Sequence, residues 1–98
     1  MNSVNIAGRI ADDPIKSTSA NGLPFTRFKI TVDKNSKDTS GGYDTFEIVV
    51  FRELAELNYE VGQFVGITGR LTANNYEKED KQYYNCQIVG TAVSMMGR

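Results

Sequence analysis

The chain has 98 residues, 40% of them hydrophobic and 23% charged, with a formal net charge of −1. That is the length and composition of one globular domain, and a bulk charge below zero argues against the generally basic surface expected of a non-specific nucleic-acid binder. There is no histidine, which removes the commonest general base and metal ligand, and Cys86 is the sole cysteine, which excludes an internal disulfide and an ordinary zinc site.

No apolar run approaches the ~18–20 residues a membrane span needs. The start, Met1 to Ile6, has neither a basic nor an apolar leader region. A cytoplasmic location without cofactor or membrane follows as the expectation.

In chain order, residues 3–10 read as a first strand with Val4, Ile6 and Gly8 on one face. Asp12-Asp13-Pro14 breaks it, and a short extended piece follows around Ile15 and Lys16. Asn21-Gly22 signals a turn. Residues 25–32 give the cleanest alternation, with Phe28, Ile30 and Val32 on one side and Arg27, Lys29 and Thr31 on the other. A polar loop leads to a third strand over 43–51. Phe46, Ile48 and Val50 should face the core there, and Thr45, Glu47, Val49 and Phe51 should face outward.

Residues 52–58, with Leu54 and Leu57 three apart, predict a helix ending near Gly62. A fourth strand over 63–71 sets Val65, Ile67, Gly69 and Leu71 on one face. Residues 74–81 read as a charged hairpin tip. A fifth strand over 82–89 carries Tyr84, Cys86 and Ile88 on its apolar phase, and 92–96 add a short extended piece. Phe25, Phe28, Phe46 and Phe64 are assigned mainly to the core. Five strands with one short helix between the third and fourth is the element order of an all-β OB-fold, a small Greek-key barrel occupying residues 1–98 as one domain.

OB-folds bind oligonucleotides or oligosaccharides across strands two and three. A single strand of nucleic acid is held there by cations on phosphates and by rings stacked on bases. The stretch 15–37 holds five cations, Lys16, Arg27, Lys29, Lys34 and Lys37, against Asp33 alone. The helix region 52–60 sets Arg52 against Glu53, Glu56 and Glu60, placing the acids at the far end of the barrel. This asymmetry reconciles the bulk charge with an anionic partner. Three aromatics lie outside the core phase: Phe51 ends the third strand, Tyr43 begins it, and Tyr76 sits in the hairpin beside Lys78.

Several segments together resemble bacterial single-stranded DNA-binding proteins. Met1-Asn2, Val4, Ile6, Gly8-Arg9-Ile10 and Asp13-Pro14 are similar to the family's opening, and 46–56, FEIVVFRELAE, to its third strand and helix. Residues 65–76, VGITGRLTANNY, are similar to its fourth strand and the aromatic after it. The resemblance covers nearly the whole chain. It implies binding of single-stranded DNA with little sequence preference in replication, recombination and repair, and no enzymatic activity. It matches Phe51 and Tyr76 to base-stacking positions.

Arg27, Lys29, Lys34, Lys37, Tyr43, Thr45, Arg70 and Lys78 complete the expected DNA contacts. The chain departs from the pattern where Thr45 and Ser36 take the place of other rings, where Thr72 to Asn75 replace a basic run, and where Glu47 stands at a position that is basic in some members. Weaker binding with a shallower salt dependence is the expectation. The family's acidic tail has no counterpart after Arg98, which suits a tail-less phage or mobile-element member or a shortened chain. Length and the NGLPFTRF segment over 21–28 also resemble primosomal replication protein B, a relative that works with primosome proteins.

The resemblance implies assembly through the first strand into a dimer or tetramer, and that strand, free of proline and of charge before Arg9, is an unprotected edge that favours such pairing. Two other classes compete with strand binding. A metal-dependent nuclease would need Asp12-Asp13 or Glu77, Glu79 and Asp80, which read instead as solvated turn residues. A protein-interaction module of the same fold would bind no nucleic acid.

Overall fold

The structure, a computed structural model, describes residues 1–34 and 42–97, with the side chains of 74–76, 83 and 84 outside the description. The strands are β1 (Val4–Ile10), β2 (Ile15–Thr18), β3 (Pro24–Asp33), β4 (Tyr43–Phe51), β5 (Phe64–Lys78) and β6 (Lys81–Gly97). One 3-10 helix, Arg52–Glu56, follows β4.

Alternating apolar residues explain the strands, and their pairing closes a barrel. β1 runs antiparallel to β5 from Val4↔Gly69 to Arg9↔Phe64, then crosses to β3 at Arg9↔Thr31 and Ile10↔Ile30. β2 resumes on the same edge of β3 at Ile15↔Arg27. β1 and β2 are therefore one bent strand, interrupted where Pro14 lacks an N–H for the ladder. β3 pairs with β4 along its length, β4 meets β6 in parallel at Ile48↔Ile88 and Val49↔Val89, and β6 returns antiparallel to β5. The circuit β1-β5-β6-β4-β3-β1 is a five-stranded barrel with OB-fold topology.

The core is a single cluster of Ile10, Phe28, Ile30, Ile48, Val50, Val65, Ile67 and Ile88, joined by Tyr59. The Tyr59 ring lies 4.7 Å from that of Phe28, and its hydroxyl donates to the Leu54 carbonyl at 2.7 Å. Burial pushes the hydroxyl's pKa up from 10.0 to about 12. Thr26, fully buried, donates to the Ala55 carbonyl at 2.7 Å, tying β3 to the helix. Gly69 sits at a bulge against β6, where a Cβ would run into the Val89 carbonyl.

Four expectations need correction. The helix is a single 3-10 segment ending at Glu56, not a longer helix over 52–58. Leu54 and Leu57 are three apart, which fits three residues per turn as well as an α-helical face. Residues 74–81 are not a tip: β5 and β6 continue through them to a two-residue turn at Glu79 and Asp80, both with positive φ. Leu71 and Cys86 are exposed rather than inward, because this hairpin runs on past the core. Val49 keeps the outer phase but is only 5% exposed, since Arg27 flanks it on β3 and Val89 on β6.

Candidate functional site

The pairing of β3 with β4 decides which side chains share the outer face. The inward set is Thr26, Phe28, Ile30, Ile48 and Val50. The alternate positions therefore point outward in register: Phe25 beside Phe51, Arg27 beside Val49, Lys29 beside Glu47, Thr31 beside Thr45, and Asp33 beside Tyr43. Beyond β4 the face continues over β6. Val49 is paired with Val89, and Val89 with Arg70 of β5. Arg27, Lys29 and Arg70 are thus brought onto one continuous surface, each exposed.

The other cations divide differently. Lys16 pairs with inward Thr26, and its ammonium donates to the carbonyls of Ala55 and Leu57, both at 3.0 Å. It caps the end of the 3-10 helix instead of joining the outer face. Lys34 forms an ion pair with Asp44 at 3.4 Å, so its charge is already answered on the protein. Lys78 lies at the end of the β5–β6 hairpin, away from the β3–β4 pair. Lys37 and Ser36 lie outside the described residues. So does the side chain of Tyr76, whose backbone stands opposite Tyr83. Tyr43 is 62% exposed at the start of β4.

At the other end of the face, the half-buried Phe51 ring meets Phe25 at 6.1 Å with a 51° tilt. Phe25, assigned to the core from sequence, instead pairs with Phe51. Its parity with Arg27 and Lys29 was the available signal. The 3-10 helix starts one residue after Phe51 and is tied to β2 and β3 by Lys16 and Thr26. The acid-bearing segment is therefore next to the ring end of this face, not across the barrel from it.

Between the bend after β1 and the β3–β4 pair lies a groove of about 330 Å³, bounded by Asp12, Asp13, Ile15, Arg27, Lys29 and Glu47. Glu47, half-buried, accepts a hydrogen bond at 2.6 Å from the side-chain amide of Gln87 on β6, a residue the sequence reading did not single out. Among the described residues no three metal-ligating side chains gather, and no helix is long and apolar enough to cross a membrane.

Rings, cations and a groove on the β3–β4 face of such a barrel are the features of an oligonucleotide-binding surface, and comparison with known proteins agrees. The model of the single-strand binding protein family matches residues 1–96. A single-stranded DNA-binding protein of Clostridium tetani is 34% identical over 102 residues, covering 98% of this chain and 70% of the relative. One from Aquifex aeolicus is 26% identical over 105 residues, covering all of this chain and 71% of the relative. For the protein of Oceanobacillus iheyensis, 30% identical, the match spans 63% of the relative's length. The crystal structure of a small single-stranded DNA-binding protein from Streptomyces coelicolor superposes with a TM-score of 0.76 at 25% identity, covering 95% of this chain and 92% of that one. By sequence along nearly its whole length and by the closed barrel it forms, this chain belongs to the single-strand binding protein family.

Proposed function

We propose that this chain binds single-stranded DNA across the outer face of β3 and β4, without catalysing a reaction. The observation that carries the reading is the register that sets Phe51 and Phe25 at one end of a face and Arg27 and Lys29 further along it. Bases stack on the rings, which accept any base, and the cations, with Arg70 across β6, take the phosphates. Thr45 and Tyr43 extend the same row, and Tyr76 is assigned to a flanking contact. The test is fluorescence anisotropy with a labelled oligo-dT. Phe51→Ala should lose about 1–3 kcal/mol of binding with the barrel still folded by circular dichroism. Unchanged affinity would remove Phe51 from the site.

The same reading places the protein in the cytoplasm, protecting strands exposed during replication, recombination and repair. It also makes the protein a homo-oligomer. Among the described residues, Val4 to Gly8 pair with β5 on one side only, leaving a strand edge open to a second copy. Sedimentation equilibrium should find a dimer or tetramer. A monomer at micromolar concentration would refute the pairing.

A further inference from the structure

We propose that Ile15 is a base contact of the bound strand, an aliphatic platform in the groove that continues the ring pair of Phe51 and Phe25. This rests on the strand-binding reading and adds a second base position to it.

Ile15 opens β2, and its register partner on β3 is Arg27. Paired residues share a face, so Ile15 points outward with Arg27, while the next residue, Lys16, turns inward with Thr26. The Ile15 side chain is 51% exposed, and it belongs neither to the core cluster nor to the half-buried residues packed against it. The barrel therefore draws little stability from it. Among the described residues β2 pairs with β3 alone, so Ile15 stands at a sheet edge, where an uncovered aliphatic is a liability. It also lines the groove of about 330 Å³ on the β3–β4 face. Two residues along β3 from Arg27 comes Phe25, whose ring meets that of Phe51. Phe25 is thus the diagonal neighbour of Ile15, about 7–8 Å away. Phe51, Phe25 and Ile15 make one oblique apolar row over β4, β3 and β2.

The chemistry of the groove decides what covers Ile15. Three carboxylates, Asp12, Asp13 and Glu47, and two cations, Arg27 and Lys29, line it, so it gives a phosphate no net attraction. A base is neutral, flat and apolar on its faces, and a groove at the small end of ligand pockets has room for one. Continuity with the rings brings it there. A strand with one base on Phe25 sets a neighbouring base diagonally over Ile15 and the phosphate beside the Arg27 guanidinium. The aliphatic surface supplies the hydrophobic part of stacking, which depends on the area covered and not on which base covers it.

The test compares labelled oligo-dT with an abasic strand of equal length by anisotropy, at salt low enough for the abasic strand to bind through its phosphates. Ile15→Ala should weaken oligo-dT binding roughly five- to tenfold and leave abasic binding within about twofold of native. Ile15→Thr, which keeps the branched shape suited to a strand, should change in the same direction. No phosphate contact is removed, so the slope of log affinity against log salt should stay at its native value in both variants. Circular dichroism should show the barrel intact. Native affinity for oligo-dT in both variants would overturn the proposal. So would an equal loss on the two strands, because a distorted face fails for both. A change in sedimentation with DNA affinity unaltered would assign Ile15 to a contact between copies and equally overturn it. Failure of the native protein to bind oligo-dT would instead overturn the strand-binding reading on which the proposal stands.

Discussion

Replacing Arg27 and Lys29 together by alanine should flatten the salt dependence of DNA binding. Three cations on the continuous outer face, Arg27, Lys29 and Arg70, are exposed and unclaimed by any ion pair among the described residues. Each phosphate neutralised on a single strand contributes about 0.7 to the slope of log affinity against log salt, so the native slope should be about −2. A fourfold rise in salt then costs roughly 20-fold in affinity. With only Arg70 left, the slope should fall to about −0.7 and the same rise should cost roughly threefold. Lys34→Ala serves as the control, because its charge is spent on Asp44, and it should leave the slope where it was. The assay is anisotropy titration of a labelled oligonucleotide over a salt series. A slope unchanged in the double variant would show that phosphates run elsewhere. A native slope steeper than about −4 would equally refute a face with three phosphate contacts.

Lys16→Met should lower stability to urea by about 1 kcal/mol and leave DNA affinity unaltered, since its ammonium is bonded to the carbonyls of Ala55 and Leu57. A weaker affinity without lost stability would return Lys16 to the binding face. Tyr59 should give the fold a titration in alkali. Its hydroxyl is raised to about 12 in the folded chain, so the neutral form is favoured by folding. Its contribution is complete below pH ~10, the ordinary tyrosine value, and is lost as the pH climbs toward the folded value. The denaturation midpoint should therefore fall more steeply over that window in the native protein than in Tyr59→Phe. Identical slopes would contradict the burial argument.

Much of this was legible in the sequence because two strands alternate without interruption. The parity of Arg27, Lys29, Thr45 and Phe51 follows from a period of two once Phe28, Ile30, Ile48 and Val50 are taken as core. Local reading fails where the answer depends on which strand lies alongside. Val49 is covered because β6, distant in sequence, brings Val89 to its side. Arg70 joins the face through the same strand, and Gln87 reaches Glu47 by it. Lys16 looked like one cation among five, but it keeps the inward parity of Ile10 across the Pro14 bend and pairs with Thr26, which sends its ammonium to the helix end. The hairpin arm over 74–81 was misread because polar residues on both faces leave no alternation to see, and a solvated strand then looks like a loop.

Among the described residues the barrel is joined between β4 and β6 by two register pairs, Ile48↔Ile88 and Val49↔Val89. Contacts this distant along the chain form late and are thinly reinforced, so this join, like that of β1 to β3, is a weak hoop of the cask. The Glu47–Gln87 bond crosses the same line. A nucleic-acid strand laid from Lys29 toward Arg70 must therefore straddle it, like a strap over a zip. Occupancy and closure become one equilibrium, and the loaded protein is harder to unfold than the empty one by an amount that grows with the free strand concentration relative to its dissociation constant.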